Sequence, residues 1–227
     1  MFIGHFAVGF ATKRQAKTVS LGTLFLAVQF LDLLWPTFLL LGWEQVRIVP
    51  GITAVNPFDF AHYPYSHSLV AALGWSVAFG ACYQLIRRQA GNALILSLAV
   101  FSHWVLDFVT HIPDLPLTIG GATKVGLGLW RSLPATLVLE GLLFFAAVAF
   151  YARTTQARDR AGRIGFWALV AFLLVAHLAA IMSPAPTDVQ ALAWGGQSVW
   201  LLVLWGYWLD RHREPAGVLG EAGPIQG

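Results

Sequence analysis

Three residues of one apolar segment, His103, Asp107 and His111, recur at i, i+4 and i+8 and so project from one face of a helix. An imidazole and a carboxylate four residues apart suit joint ligation of one metal ion; the same spacing also suits a simple hydrogen-bonded pair. The apolar setting gives the pattern its weight. An aspartate at the centre of a membrane helix costs about 2.5 to 3.5 kcal/mol even on lenient insertion scales, so it requires a counter-group or a task. Asp32 adds to the set, in the run Gln29-Phe30-Leu31-Asp32-Leu33-Leu34-Trp35-Pro36. Pro36 cannot donate the hydrogen bond that would close on the Asp32 carbonyl, which predicts a kink with a free carbonyl beside a carboxylate. The alternative is a plain kink with Asp32 paired to a neighbouring histidine. Asp59, His62, Ser66 and His67 form a further group in which Pro64 blocks a helix and Ser66 is a candidate N-cap. Standing alone, that group reads as an outer loop with solvated histidines. Glu140, His177 and His5 complete the candidates, with a protonated Glu140 and a His177 satisfied in the core as the plainer alternatives.

These residues need elements to hold them. Of 227 residues, 57% are hydrophobic and 11% charged, with a mean hydropathy of +0.66, whereas a soluble domain carries roughly 25% charged residues. The composition predicts a single all-α membrane domain over residues 1–213, followed by a tail, 214–227, expected to be disordered. Six apolar segments, 20–41, 67–86, 91–111, 133–152, 164–182 and 190–209, are long enough to cross a hydrocarbon core about 30 Å thick. Backbone satisfaction in lipid makes them helices. An apolar run over residues 1–11 precedes the first basic residues, the wrong order for a signal peptide, and reads as a half-helix dipping into the bundle or a helix along the inner interface. Eleven of the fourteen Lys and Arg residues fall on one side of this arrangement, which puts both termini in the cytoplasm. The net charge of +3 does not point to nucleic acid, because the basic residues lie in short loops rather than in a patch interleaved with aromatics. The single cysteine, Cys82, makes no internal disulfide and reads as a small core residue.

Measured from the inner end of each helix, Asp32 lies roughly 18 Å up, His103 roughly 16 Å and Asp107 roughly 22 Å, while Glu140 and His177 lie roughly 20 Å up. They share one layer just outside the midplane. His67 and His111 sit on its outer roof, and a half-helix would lift His5 to its lower edge, roughly 12 Å up. The first 140 or so residues resemble the membrane-bound, metal-dependent hydrolases described as LexA-binding and inner-membrane-associated. The motifs that carry the resemblance are Gly4-His5, Asp32 closing an apolar run, His62-x-x-x-Ser66-His67-Ser68 and Ser102-His103-x-x-x-Asp107. The chain lacks the family's proline before the first Asp and its second acid, and has Tyr63-Pro64 in place of Arg-Gly. A more distant likeness to helical zinc-dependent phospholipase C enzymes suggests a phosphoester substrate.

The expected ligands are His5, Asp32, His67, His103 and Asp107, with His111 as a further one. Asp59 is the candidate proton acceptor, and His62 and Glu140 are further catalytic or supporting residues. Mixed imidazole and carboxylate ligands suit a divalent metal, zinc first. The expected function is metal-assisted hydrolysis of a phosphoester or lipid-linked substrate near the outer leaflet of a bacterial inner membrane. The rival classes are a transporter or proton relay using the same Asp/His cluster, and a non-catalytic membrane protein whose polar cluster holds the bundle together. No repeat is visible to support a transporter. The sequence leaves the oligomeric state open.

Overall fold

A computed structural model describes residues 1–216. The chain is mostly helical. It begins with α1 (Ile3–Thr12), α2 (Leu21–Val28) and α3 (Phe30–Leu40), then a hairpin of β1 (Gln45–Ile48) and β2 (Phe58–His62). A short turn, α4 (Pro64–His67), leads into α5 (Leu69–Arg87) and α6 (Ala90–Thr110). A small ladder of β3 (Leu115–Pro116) and β4 (Lys124–Val125) precedes α7 (Leu133–Thr154), β5 (Thr155–Ala157), α8 (Arg160–Met182), α9 (Val189–Gln197), α10 (Val199–His212) and β6 (Arg213–Pro215).

Four of these helices, α5 to α8, are long and apolar enough to cross a membrane, and α2 with α3, bent by 57°, passes the same test as a pair, either one broken span or a re-entrant loop. Six uninterrupted spans are therefore not found among the described residues. The first expected segment breaks at Gln29, which has non-helical φ −103° and ψ 6°. Pro36, where the sequence places the kink, lies inside a continuous α3. The last expected segment breaks at Ser198, after Gly195 and Gly196, whose low helix propensity costs about 1 kcal/mol each relative to alanine. At the start of the expected tail, Arg213–Pro215 pairs antiparallel with Thr155–Ala157; residues 217–227 lie outside the described part.

Helix starts follow local chemistry. The Asp159 carboxylate accepts from the Gly162 amide at 2.7 Å, and Asp188 accepts from Ala191 at 2.7 Å. Ser68, not Ser66, caps α5, accepting from Ala71 at 3.1 Å, which releases Ser66 for another task. In lipid these helices gain little from the hydrophobic effect, so close packing has to hold them together. At the crossing of α2 and α10, a side chain built at Gly206 would come within 2.9 Å of the Gly22 Cα, so only glycine permits this approach. The broken segments pair half by half: α10 packs on α2, and α9 packs on α3.

The half-helix α1 is at the centre of the bundle. Phe6 and Phe10 are fully buried in edge-on contact with Phe25, and Phe10 also meets Phe144, Tyr151 and Phe166. An interface helix would expose one face to water; α1 buries His5 together with its apolar residues. The dipping half-helix is thus the arrangement found. The Met1 amino group is buried against Asp107 at 2.8 Å.

Candidate metal centre

The break at Gln29 ends α2 at Val28, whose carbonyl lies 2.7 Å from His103 Nδ1 on α6. A carbonyl only accepts, so Nδ1 of His103 carries a proton, which in the neutral ring leaves the lone pair on Nε2. That Nε2 lies 3.6 Å from Asp32 Oδ1 and 3.2 Å from Asp107 Oδ2. Asp32 reaches this point because it sits in the first turn of α3, where the positive end of the helix dipole favours a carboxylate.

His67 is set in the same way by different groups. The buried Glu44 carboxylate accepts from the amides of Tyr65 and Ser66 at 2.9 and 2.8 Å, and from the Ser66 hydroxyl at 2.7 Å. Burial pushes the Glu44 carboxyl up, and the Ser66 and Tyr65 donors oppose that shift. With its proton given to Glu44, Ser66 Oγ is left to accept from His67 Nδ1 at 2.7 Å. His67 Nε2 then also presents a lone pair, 3.5 Å from Asp32 Oδ1 and 3.7 Å from Asp107 Oδ2.

Two imidazole lone pairs thus face two carboxylates, which is repulsive unless a cation or an added proton lies between them. Protonated imidazoles would draw the carboxylates to about 2.7–2.9 Å. The observed separations of 3.2–3.7 Å are instead close to the edge of a tetrahedron with metal–ligand bonds of about 2.0–2.1 Å, which is roughly 3.3 Å. His103 Nε2 and His5 Nδ1 are buried without a hydrogen-bond partner among the described residues, a costly state for a polar atom. The ring of His5 stacks on that of His103 at 3.7 Å, and its Nε2 is 3.1 Å from Asp107 Oδ1. The Met1 amino group donates to the same oxygen at 2.8 Å. The ligand atoms form two triads, His5–His103–Asp107 and Asp32–His67–His103, each with all its atoms within 4.8 Å of one another. The donor set fits a metal ion.

The remaining expected residues lie elsewhere. His111 is bonded through Nδ1 to Asp114 at 2.8 Å and faces Tyr63 Oη at 3.4 Å; its Nε2 is 3.9 Å from Asp107 Oδ2, beside the triads and in neither. Glu140 accepts from the amides of Phe2 and Gly4 at 3.0 and 3.2 Å, so it caps α1 and thereby places His5. Asp59 faces away in the hairpin, where the β1–β2 register sets it opposite Arg47 and their side chains pair at 2.8 Å. His62, at the end of β2, is exposed beside Tyr65. Neither Asp59 nor His62 is placed to serve a reaction at the triads. Asp59→Asn should therefore leave metal content unchanged and shift the melting midpoint by the equivalent of less than about 1 kcal/mol, as an exposed ion pair does. Calorimetry with metal analysis checks this.

A cavity of about 450 Å³ lies over the cluster, with Asp32, His67 and Asp107 in its floor and His111, Glu140 and His177 in its walls. Asp32 keeps 30% of its side chain exposed and is the triads' route to this space. Sequence reasoning missed Glu44, Asp114 and Tyr63. Glu44 and Asp114 carry one signal, being acids in otherwise apolar loops, but nothing in their spacing points at a histidine. No protein-family profile, characterised protein or solved structure matches this chain. The family resemblance thus rests on the quoted motifs alone.

Proposed function

We propose that this chain is an integral membrane, metal-dependent hydrolase acting on a phosphoester or lipid-linked substrate. The observation that carries the reading is the paired orientation of His67 and His103. Each has its Nδ1 proton committed to a fixed acceptor and its Nε2 lone pair turned toward Asp32 and Asp107. His5, Asp32, His67, His103 and Asp107 would hold the ion, zinc first, with His103 common to both triads. A bound zinc ion supplies a water of pKa near about 7 and a Lewis acid for the attacked ester oxygen. His111, with Nδ1 fixed by Asp114 and Nε2 turned toward Asp107, is the residue placed to pass a proton between the cavity and the cluster, in the role first assigned to Asp59.

The basic residues support the orientation. The connection from α7 to α8 and the end of α10 carry Arg153, Arg158, Arg160, Arg163, Arg211 and Arg213, which supports a reading with that end in the cytoplasm and the cavity near the outer leaflet. In this reading the broken α9–α10 segment completes six passes of a bacterial inner membrane. A transporter would need a polar route onward to the basic end, but there the cluster is followed by the aromatic core around Phe10, Phe25 and Phe144.

The test is hydrolysis of p-nitrophenyl phosphate and bis(p-nitrophenyl) phosphate by the purified protein in detergent. The proposal expects turnover that a zinc chelator abolishes and added zinc restores. Turnover indifferent to chelation, or none with any added divalent metal, contradicts it.

A further inference from the structure

The cavity lining is chemically divided. Opposite the carboxylates and imidazoles, the wall is formed by Ala180 and Ile181 at the end of α8, Pro184 in the following loop, and Leu192 and Gly195 on α9. Ala180, Pro184 and Gly195 of this lining are exposed, which marks the seam between α8 and α9 as a side on which the cavity is open. No atom lies within 4 Å of where a Gly195 side chain would begin, which confirms open space there. The outward face of α8 beside the seam, Val175, Leu178 and Met182, is apolar and exposed, as a lipid-facing surface should be. The polar end of the cavity is its floor, where Asp32 keeps 30% of its side chain exposed.

We propose that the substrate is an amphiphile entering sideways from the bilayer, its alkyl chain in the α8–α9 seam and its oxygen-rich head group at the Asp/His cluster. A water-soluble substrate would make no use of an apolar seam that opens beside a lipid-facing helix. An alkyl phosphate uses both halves of the cavity, the chain in the seam and the phosphate oxygens at the floor. This inference rests on the hydrolase reading for the role of the floor.

The experiment uses the full chain in lipid nanodiscs and hexadecyl phosphate carrying a diazirine in mid-chain, with adducts mapped by mass spectrometry and metal content measured on the same samples. Adducts are expected at Ala180, Ile181, Leu192 and Gly195, displaced by excess unlabelled hexadecyl phosphate. They should fall to background in Gly195→Trp, and equally in Ala180→Trp, with metal content unchanged. Adducts confined to Val175, Leu178 and Met182, or not displaced, or unaltered in both variants that remain monodisperse, would overturn lateral entry. The two readings fail separately. Displaceable seam adducts on protein that binds no metal would keep the entry route and remove the hydrolase, whereas metal-loaded protein without them would do the reverse.

Discussion

His103→Ala is expected to lower metal affinity by more than about 100-fold, beyond the 10–100-fold typical of residues that merely support a ligand. Metal-dependent hydrolysis should fall with it. His103 is the residue common to both triads, so neither can be complete without it. The substitution also strands the Val28 carbonyl at the end of α2, because the imidazole supplied its donor at 2.7 Å. An unpaired buried acceptor costs about 1–3 kcal/mol, so the variant should melt lower as well. His103→Gln, which retains an N–H to offer Val28 while losing the imidazole, separates the two effects. Its stability should recover further than its metal binding. Metal content at the wild-type level in the alanine variant would remove His103 from the site.

The second large effect is expected from a residue that touches no metal. Ser66→Ala breaks the chain from Glu44 through Ser66 Oγ to His67 Nδ1, in which each link is 2.7 Å long. Without that acceptor nothing fixes the Nδ1–H tautomer of His67, and the Glu44 carboxylate keeps only its two amide donors. Metal affinity should drop by about 10–100-fold, with zinc at saturating concentration restoring turnover. Ser66→Thr, which keeps the hydroxyl, should stay near wild type. Isothermal titration of zinc into metal-stripped protein measures all three. Equal affinity of Ser66→Ala and wild type would mean that the relay does not orient His67.

The sequence exposes some of this site and hides the rest for identifiable reasons. The His103–Asp107 pair is legible because helical spacing alone places two residues four apart on one face, whatever the surrounding packing. His5, Asp32 and His67 are legible as candidates by their cost in an apolar segment, and the structure brings their ligand atoms to the same place. The bend in the first span is not legible. Pro36 offers the stronger local signal, yet α3 runs through it and the break falls at Gln29, where a carbonyl bonded to His103 on another helix compensates the interruption. Asp59 and Glu44 show the limits of residue type. Both are acids in the connection between α3 and α4, but strand register turns Asp59 toward Arg47, while Glu44 turns inward to the amides of α4. Neither outcome has a periodic trace in the sequence. The break at Ser198 has a weak one, the Gly195-Gly196 pair, which hydropathy averaged over twenty residues conceals.

The most direct measurement on the central claim is X-ray absorption at the zinc edge on protein purified from zinc-supplemented cells. The proposed function predicts bound zinc with nitrogen and oxygen neighbours at about 2.0–2.2 Å and the outer-shell pattern of at least two imidazoles. Protein that purifies without metal and takes up none on titration, or zinc lacking imidazole neighbours, would contradict it.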